Sequence, residues 1–450
     1  MNVSIIGTGY VGLVSGVCLA EKGHRVVCVD MDADKIARIN AGISPIYERG
    51  LDALLQRNIG GNLRATTDLA DAVHGSELSI IAVGTPFDGE EIDLSQIKAA
   101  AREIGAVLRE KSGYHVVVVK STVVPGTTDE TVRRGLEAAS GKRAGEAFGL
   151  GMNPEFLREG DAVADFMNPD RIVMGGIDDR SIECLDLLYR PFDGVDKIRT
   201  TCKTAEMIKY TANSLLATMI SFSNEIGNLC SALGGVDVVD VMRGVHLDKR
   251  LSPILPDGSR VVPGFTTYLE AGCGFGGSCF PKDVKALIAH GRRLGQPMTL
   301  LDGAVTVNRT QPDQIIRLLK DHFRSLKDIR VAVLGLAFKP DTDDMRESPA
   351  IPVIQWLQDE GADIHAVDPV AGSAARKLFG DRGISYHEHM ETAVAEADAV
   401  VVLTRWDVFR RLPEIIAERT VQPLVVDGRR MIGRDAVARY AGIGYREMNP

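Results

Sequence analysis

The chain has 450 residues, 45% of them hydrophobic and 25% charged, too long for one core and ordinary for a globular protein of two or three domains. A net charge of −9 argues against a nucleic-acid partner, so any anionic ligand must be held by local cations and helix N-termini. Seven scattered cysteines, with no CxxC or Cys/His spacing, argue against a zinc site and fit thiols in a reducing compartment.

The chain opens directly on a strand-like MNVSIIG, so no signal peptide, no membrane span and a cytoplasmic location are expected. Over the first 200 residues, short apolar runs alternate with helical patterns. The strand candidates are 3–6, 25–29, 78–83, 115–120, 149–152 and 171–174, which predicts a parallel, doubly wound α/β sheet. Residues 204–233 read as one long helix that stops at Gly234-Gly235, and a mostly helical stretch continues to about Arg324. A Pro/Gly-rich segment, Leu251 to Gly264, reads as a surface loop. Strand candidates at 330–334, 363–367, 399–403 and 424–426 then predict a second, smaller Rossmann-like domain.

The first strand runs into Gly7-Thr8-Gly9-Tyr10-Val11-Gly12, a GxGxxG opening a helix. Its glycines allow the tight turn, the approach of a pyrophosphate and close helix–strand packing. Asp30 ends the next strand at the place where an acid receives the adenosine ribose hydroxyls and repels a 2′-phosphate, which favours NAD over NADP, although Lys35 lies nearby. The strand ends Gly84-Thr85-Pro86 and Ser121-Thr122 point to the same carboxyl edge, where ligands of such sheets bind. After another strand end comes Asn153-Pro154-Glu155-Phe156-Leu157-Arg158-Glu159-Gly160. Glu155 there is a candidate general base, with a solvated loop acid as the plainer reading. Lys209 and Asn213 share one face of the long helix and suit a developing oxyanion, although such pairs are more often simply solvated.

Cys279 ends the run Gly274-Phe275-Gly276-Gly277-Ser278, just before a predicted helix with Lys282 and Asp283 in its first turn. A thiol at a helix N-terminus beside a cation is expected to have a lowered pKa and to act as a nucleophile. The glycines are expected to clear side chains so that a ligand can approach the backbone. Asp283 is placed one turn on for proton transfer. Cys273, in the same loop, has no helix start to favour it. A nucleotide redox cofactor with a nucleophilic thiol suggests oxidation of an aldehyde through a thiohemiacetal and a thioester. In the second α/β unit, Gly335 to Ser348 follows a strand without a GxGxxG. Asp427-Gly428-Arg429-Arg430 ends the last strand and offers cations to phosphates or a carboxylate.

Taken in order, GTGYVG, VGTP, STVVPGTT, NPEFLREG, AEMIKYTAN, GFGGSCFPKD, GLAFKPDTDDMRESP and DGRR resemble the nucleotide-sugar 6-dehydrogenase family over nearly the whole chain. The resemblance implies an NAD-binding domain over 1–200, a central helical dimerisation domain over 201–324 and a nucleotide-sugar domain over 325–450. It implies four-electron oxidation of a sugar C6 hydroxyl with two NAD, without a metal, and a homodimer or higher homo-oligomer. It makes Cys279 the nucleophile, Lys209 and Asn213 the oxyanion partners, Asp283 the acid of hydrolysis, and Glu155 and Thr122 the pair that handles the water and proton. NAD contacts carried over are those of the first glycine motif, the strand ends, Glu159 and Arg346. Substrate contacts are Phe156, Leu157, Tyr268, Leu269, Gly276, Phe338, Lys339 and Arg430, with Arg250 lent by a partner subunit. The run before the glycines looks like the UDP-glucose branch, which makes UDP-glucuronate. The loop 251–264 is longer than that pattern and leaves dTDP-glucose and GDP-mannose open. A two-electron NAD-dependent dehydrogenase and a non-catalytic NAD-binding protein are the other readings.

Overall fold

Residues 1–447 are described by the structure, a computed structural model. They form two compact units, residues 1–212 and residues 213 onward, and the division falls inside one helix, Cys202–Leu233.

The first unit holds eight strands: β1 (Asn2–Ile6), β2 (Arg25–Val29), β3 (Leu63–Thr66), β4 (Leu78–Ile81), β5 (His115–Val119), β6 (Phe148–Met152), β7 (Arg171–Gly176) and β8 (Asp196–Thr200). Their order is β3-β2-β1-β4-β5-β6-β7-β8. The central strands are unbroken apolar runs because both faces are covered. Along β5, Val116 and Val118 enter one apolar cluster while Val117 and Val119 enter another, as a period of two requires. The strand order reverses between β1 and β4, which opens a crevice at their carboxyl ends.

One expectation is corrected: the sheet is not parallel throughout. β7 runs antiparallel to β6, pairing only Gly151 with Gly176 and Met152 with Gly175. The link from β6 to β7 carries the turn from Asn153 and a short helix, Ala162–Met167. It brings the chain back along the carboxyl edge instead of crossing over the sheet as a full βαβ unit does.

The second unit repeats the architecture with β9 (Arg330–Leu334), β10 (Asp363–Val367), β11 (Ile384–His387), β12 (Ala399–Val402), β13 (Leu424–Asp427) and β14 (Tyr440–Gly442). All are parallel, in the order β11-β10-β9-β12-β13-β14. Its reversal lies between β9 and β12. There Gly335 takes φ +92°, and any Cβ would stand 2.3 Å from that of Thr404. A glycine is therefore required by packing at this strand end although no GxGxxG is present. Among the described residues, no helix is long and apolar enough to cross a membrane.

Candidate active site

The glycine motif forms the expected turn. Gly7 has φ +101°, and a Cβ there would meet the Ala82 carbonyl oxygen at 2.7 Å. The helix Tyr10–Glu21 starts with Gly9 as an N-cap that supplies no side-chain bond, which leaves first-turn N–H groups for an anion. A Cβ on Gly12 would lie 1.9 Å from the Gly7 carbonyl oxygen, whereas one on Gly9 would meet nothing within 4 Å. The open side of Gly9 is the space a pyrophosphate needs, so the cradle fits NAD.

These two glycines give opposite predictions. Gly12→Ala is expected to displace the turn, at a cost of about 1–3 kcal/mol, and to lower both thermal stability and NAD affinity. Gly9→Ala is expected to keep stability within about 0.5 kcal/mol while NAD affinity falls. Thermal unfolding and NAD titration of the two variants read this, and wild-type NAD affinity in Gly9→Ala would contradict the cradle.

Asp30 stands at the end of β2. Its carboxylate accepts from Thr8 N (2.9 Å), Thr8 Oγ1 (2.6 Å) and Asp32 N (3.1 Å). Burial alone would raise its pKa, but these hydrogen bonds, with a smaller effect of Lys35, hold it below the usual carboxylate value. It is therefore anionic and already positioned. Lys35 itself sits 4.0 Å from Asp32. Tyr10 donates to Glu48, a buried acid that no motif pointed to. Glu48 also accepts from Gly160 N (2.7 Å) and Ala162 N (2.9 Å), and so ties the glycine turn to the segment carrying Leu157, Arg158 and Glu159. The strand ends are cross-linked as well. Thr85 Oγ1 donates to the Thr122 carbonyl (2.9 Å), Ser121 Oγ to that of Val83 (2.7 Å), and Gly84 N to Gln96 (3.2 Å), with Pro86 following.

Glu155 is buried, which rules out the solvated-loop reading for it. Its Oε1 lies 3.1 Å from Lys209 Nζ, and its Oε2 accepts from Leu157 N at 2.6 Å. Lys209 is likewise buried, its ammonium 5.4 Å from the Phe156 ring, over which the Arg171 guanidinium stacks at 3.9 Å.

In the second unit, Cys279 is the N-cap of the helix Phe280–Arg293, with Pro281 in the first turn. Its carbonyl accepts from Asp283 N (2.9 Å), and Ser278 Oγ is 3.5 Å from its sulfur. Asp283 is buried. It accepts from Asn213 Nδ2 at 2.6 Å and pairs with Lys282 at 2.6 Å. Thus Asn213 and Asp283 are brought together one turn from the thiol. Cys273 is fully buried, which pushes its thiol pKa up and leaves Cys279 as the nucleophile candidate of this loop.

The glycines of this loop are also required by packing. A Cβ on Gly276 would meet the Glu347 carbonyl oxygen at 2.2 Å, and one on Gly277 (φ +81°) would meet the Phe338 ring at 2.6 Å. The space on the Cβ side of both glycines is filled by Phe338 and Glu347. Arg429, expected to offer its charge to a phosphate or carboxylate, braces the same loop. It donates to the carbonyls of Gly274 (3.0 Å), Phe338 (3.3 Å) and Leu403 (2.6 Å).

Arg430, expected to face substrate, has a side chain only 7% exposed and commits its outer nitrogens to Asp237 (2.8 and 2.9 Å) and the Ile443 carbonyl (2.8 Å). Its φ of +52° turns it away from the direction Arg429 takes. Arg346 is exposed and bonded through two nitrogens to Asp344. Lys339 lies 6.0 Å from the Phe338 ring centre. Tyr268, beside buried Leu269, packs near Phe280 at 6.3 Å between ring centres. The Arg250 side chain is 88% exposed and paired with Asp248 at the foot of an exposed hairpin-like loop closed by a single antiparallel bridge between Ile254 and Arg260. Among the described residues, no three His, Cys, Asp or Glu side chains converge as metal ligands would.

Residues 1–193 match the NAD binding domain of the UDP-glucose/GDP-mannose dehydrogenase family, 203–310 its central domain and 332–434 its UDP binding domain. A UDP-glucose 6-dehydrogenase of Haloferax volcanii is 45% identical over 440 residues, covering 96% of this chain and 98% of that one. A UDP-glucose 6-dehydrogenase of Rhizobium meliloti is 45% identical over 461 residues, covering 99% of each. A solved UDP-glucose dehydrogenase from Pyrobaculum islandicum has a TM-score of 0.88 at 38% identity, covering 99% of this chain and 98% of that one.

Proposed function

The chain belongs to the UDP-glucose/GDP-mannose dehydrogenase family, and from that premise we propose that this NAD-dependent nucleotide-sugar dehydrogenase oxidises the C6 hydroxyl of UDP-glucose to the carboxylate of UDP-glucuronate, using two NAD and no metal. The observation that carries this reading is the Cys279 thiol at a helix N-terminus, with the Asn213–Asp283 pair one turn away. A two-electron oxidation has no use for such a thiol. The division into an NAD domain to residue 200, a central domain over 201–324 and a sugar-nucleotide domain from 325 belongs to the same proposal, as does a cytoplasmic location.

NAD, when bound, supplies the hydride acceptor. Glu155, held at its carboxylate by Lys209 and Leu157 N, takes the hydroxyl proton with Thr122 positioning the group. The ammonium of Lys209 and the amide of Asn213 stabilise the oxyanion that forms when the Cys279 sulfur bonds to the aldehyde carbon. That thiohemiacetal carbon would become a thioester by giving up its hydrogen as hydride to the second NAD and its oxygen-bound proton to solvent, and water then breaks the C–S bond, returning the thiol and releasing the acid. Asp283 moves the proton of that last step. Phe338, Lys339, Tyr268, Leu269 and the Gly276 backbone are the proposed substrate contacts, and Arg346 an NAD contact.

The homodimer is supported by an apolar stripe on the long helix. Leu215, Phe222 and Leu229 recur every seven residues, Leu233 continues the line, and all four are 50–64% exposed in the single chain. Arg250, exposed at the hairpin foot, is the residue a partner would receive.

The base and sugar are tested by comparing kcat/KM for UDP-glucose, dTDP-glucose and GDP-mannose. UDP-glucose is expected to lead by at least about 10²-fold. An equal or higher value for another sugar nucleotide would overturn the substrate while leaving the chemistry in place.

A further inference from the structure

Lys120 follows β5 directly and is 3% exposed. Its ammonium donates to Asn153 Oδ1 at 2.8 Å and reaches Tyr189 Oη at 3.5 Å, with the Phe166 ring at 5.7 Å. Among the described residues it makes no ion pair. An ammonium buried without a carboxylate in contact is costly, and an apolar side chain of the same length would fill the space without that cost. Its surroundings are specific. Asn153 Oδ1 also accepts from Tyr189 Oη at 2.5 Å, and Asn153 Nδ2 donates to the Val173 carbonyl at 2.8 Å. Every hydrogen-bonding atom of that amide is thereby fixed at the head of the turn leading to Glu155. Burial lowers the Lys120 pKa to about 8, the nearby carboxylate of Glu155 raises it, and the ammonium of Lys209 lowers it further. Tyr189, the other titratable group in contact, has its pKa raised by burial and stays a neutral donor. The buried set is thus two amines against one carboxylate.

We propose that Lys120 is a positioning residue for the oxidation, fixing Asn153 at the head of the Asn153–Leu157 segment and adding a second positive charge to the surroundings of the Glu155–Lys209 pair. This rests on the reading of Glu155 and Lys209 as reacting groups. The excess positive charge of the two amines is offset when an oxyanion forms at Lys209.

The test is the pH dependence of kcat for NADH formation by the full chain carrying Lys120→Gln, with NAD affinity measured in parallel. Removing a nearby positive charge makes neighbouring protons harder to remove. The ionisation that governs kcat is therefore expected to move up by about one pH unit or more, with NAD affinity unchanged. Lys120→Met is a second uncharged variant, and the same upward shift is expected. An unshifted or downward-shifted profile in either folded variant would overturn the proposal. So would failure of both to fold, since the lysine would then belong to the core and not to the site. Glu155→Gln and Lys209→Ala separate the two levels: full activity in both would remove the underlying reading, whereas their loss with an unshifted Lys120→Gln profile would remove this inference alone.

Discussion

Cys279→Ser is expected to bind NAD as the wild type does and to release no uronic acid. The substituted hydroxyl has nearly the same size, so the helix start at Phe280 and the Asn213–Asp283 bond should persist. What changes is nucleophilicity. A thiol titrates near 8.5 in water and lower at a helix N-terminus, while a serine hydroxyl stays protonated unless a base adjoins it. Asp283, one turn on, is already bonded to Asn213 and Lys282. Steady-state acid formation should therefore fall by about 10³-fold or more. Following NADH and acid separately in Cys279→Ser reads the effect, and wild-type release of acid would show that no covalent thioester is required.

Lys209→Ala is expected to lose both activity and stability. The Glu155 and Lys209 side chains are only 6% and 4% exposed at 3.1 Å, so removal of the amine leaves a buried carboxylate without its ion-pair partner. Such losses cost about 3–5 kcal/mol, which for a unit of this size lowers Tm by roughly 10 °C. Loss of a charge aimed at the oxyanion should reduce kcat by about 10²–10³-fold. The two effects can be separated. Adding Glu155→Gln removes the stranded charge and is expected to restore most of the Tm without restoring kcat. A Lys209→Ala enzyme with unchanged Tm and kcat would remove both the ion pair and its catalytic role from the account.

What the sequence disclosed follows from how strongly each feature is patterned. Unbroken apolar strands such as His115–Val119 and Ala399–Val402 are legible because burial on both faces leaves a continuous run. The edge strands Leu63–Thr66, Asp196–Thr200, Ile384–His387 and Tyr440–Gly442 are short and partly polar, and gave no such signal. The reversed direction of Arg171–Gly176 depends on the path of the preceding link, which no local pattern encodes. Cys279 was legible because a glycine run, a thiol and a helix start coincide in five residues. The packing of those glycines against Phe338 was not, since Phe338 is about sixty residues away along the chain. Adjacent Arg429 and Arg430 look alike in sequence, yet one bonds to the cysteine loop and the other, at a positive φ, to Asp237. Glu48 and Lys120 are single charges whose importance appears only when burial and partners are known.

The central claim is a four-electron oxidation through Cys279. The most direct measurement is the number of NADH formed per molecule of UDP-glucose consumed to completion by the wild-type enzyme. Two NADH, with UDP-glucuronate as the product, is the predicted result. One NADH, with the reaction halted at the aldehyde, would contradict the account and leave a two-electron dehydrogenase in its place.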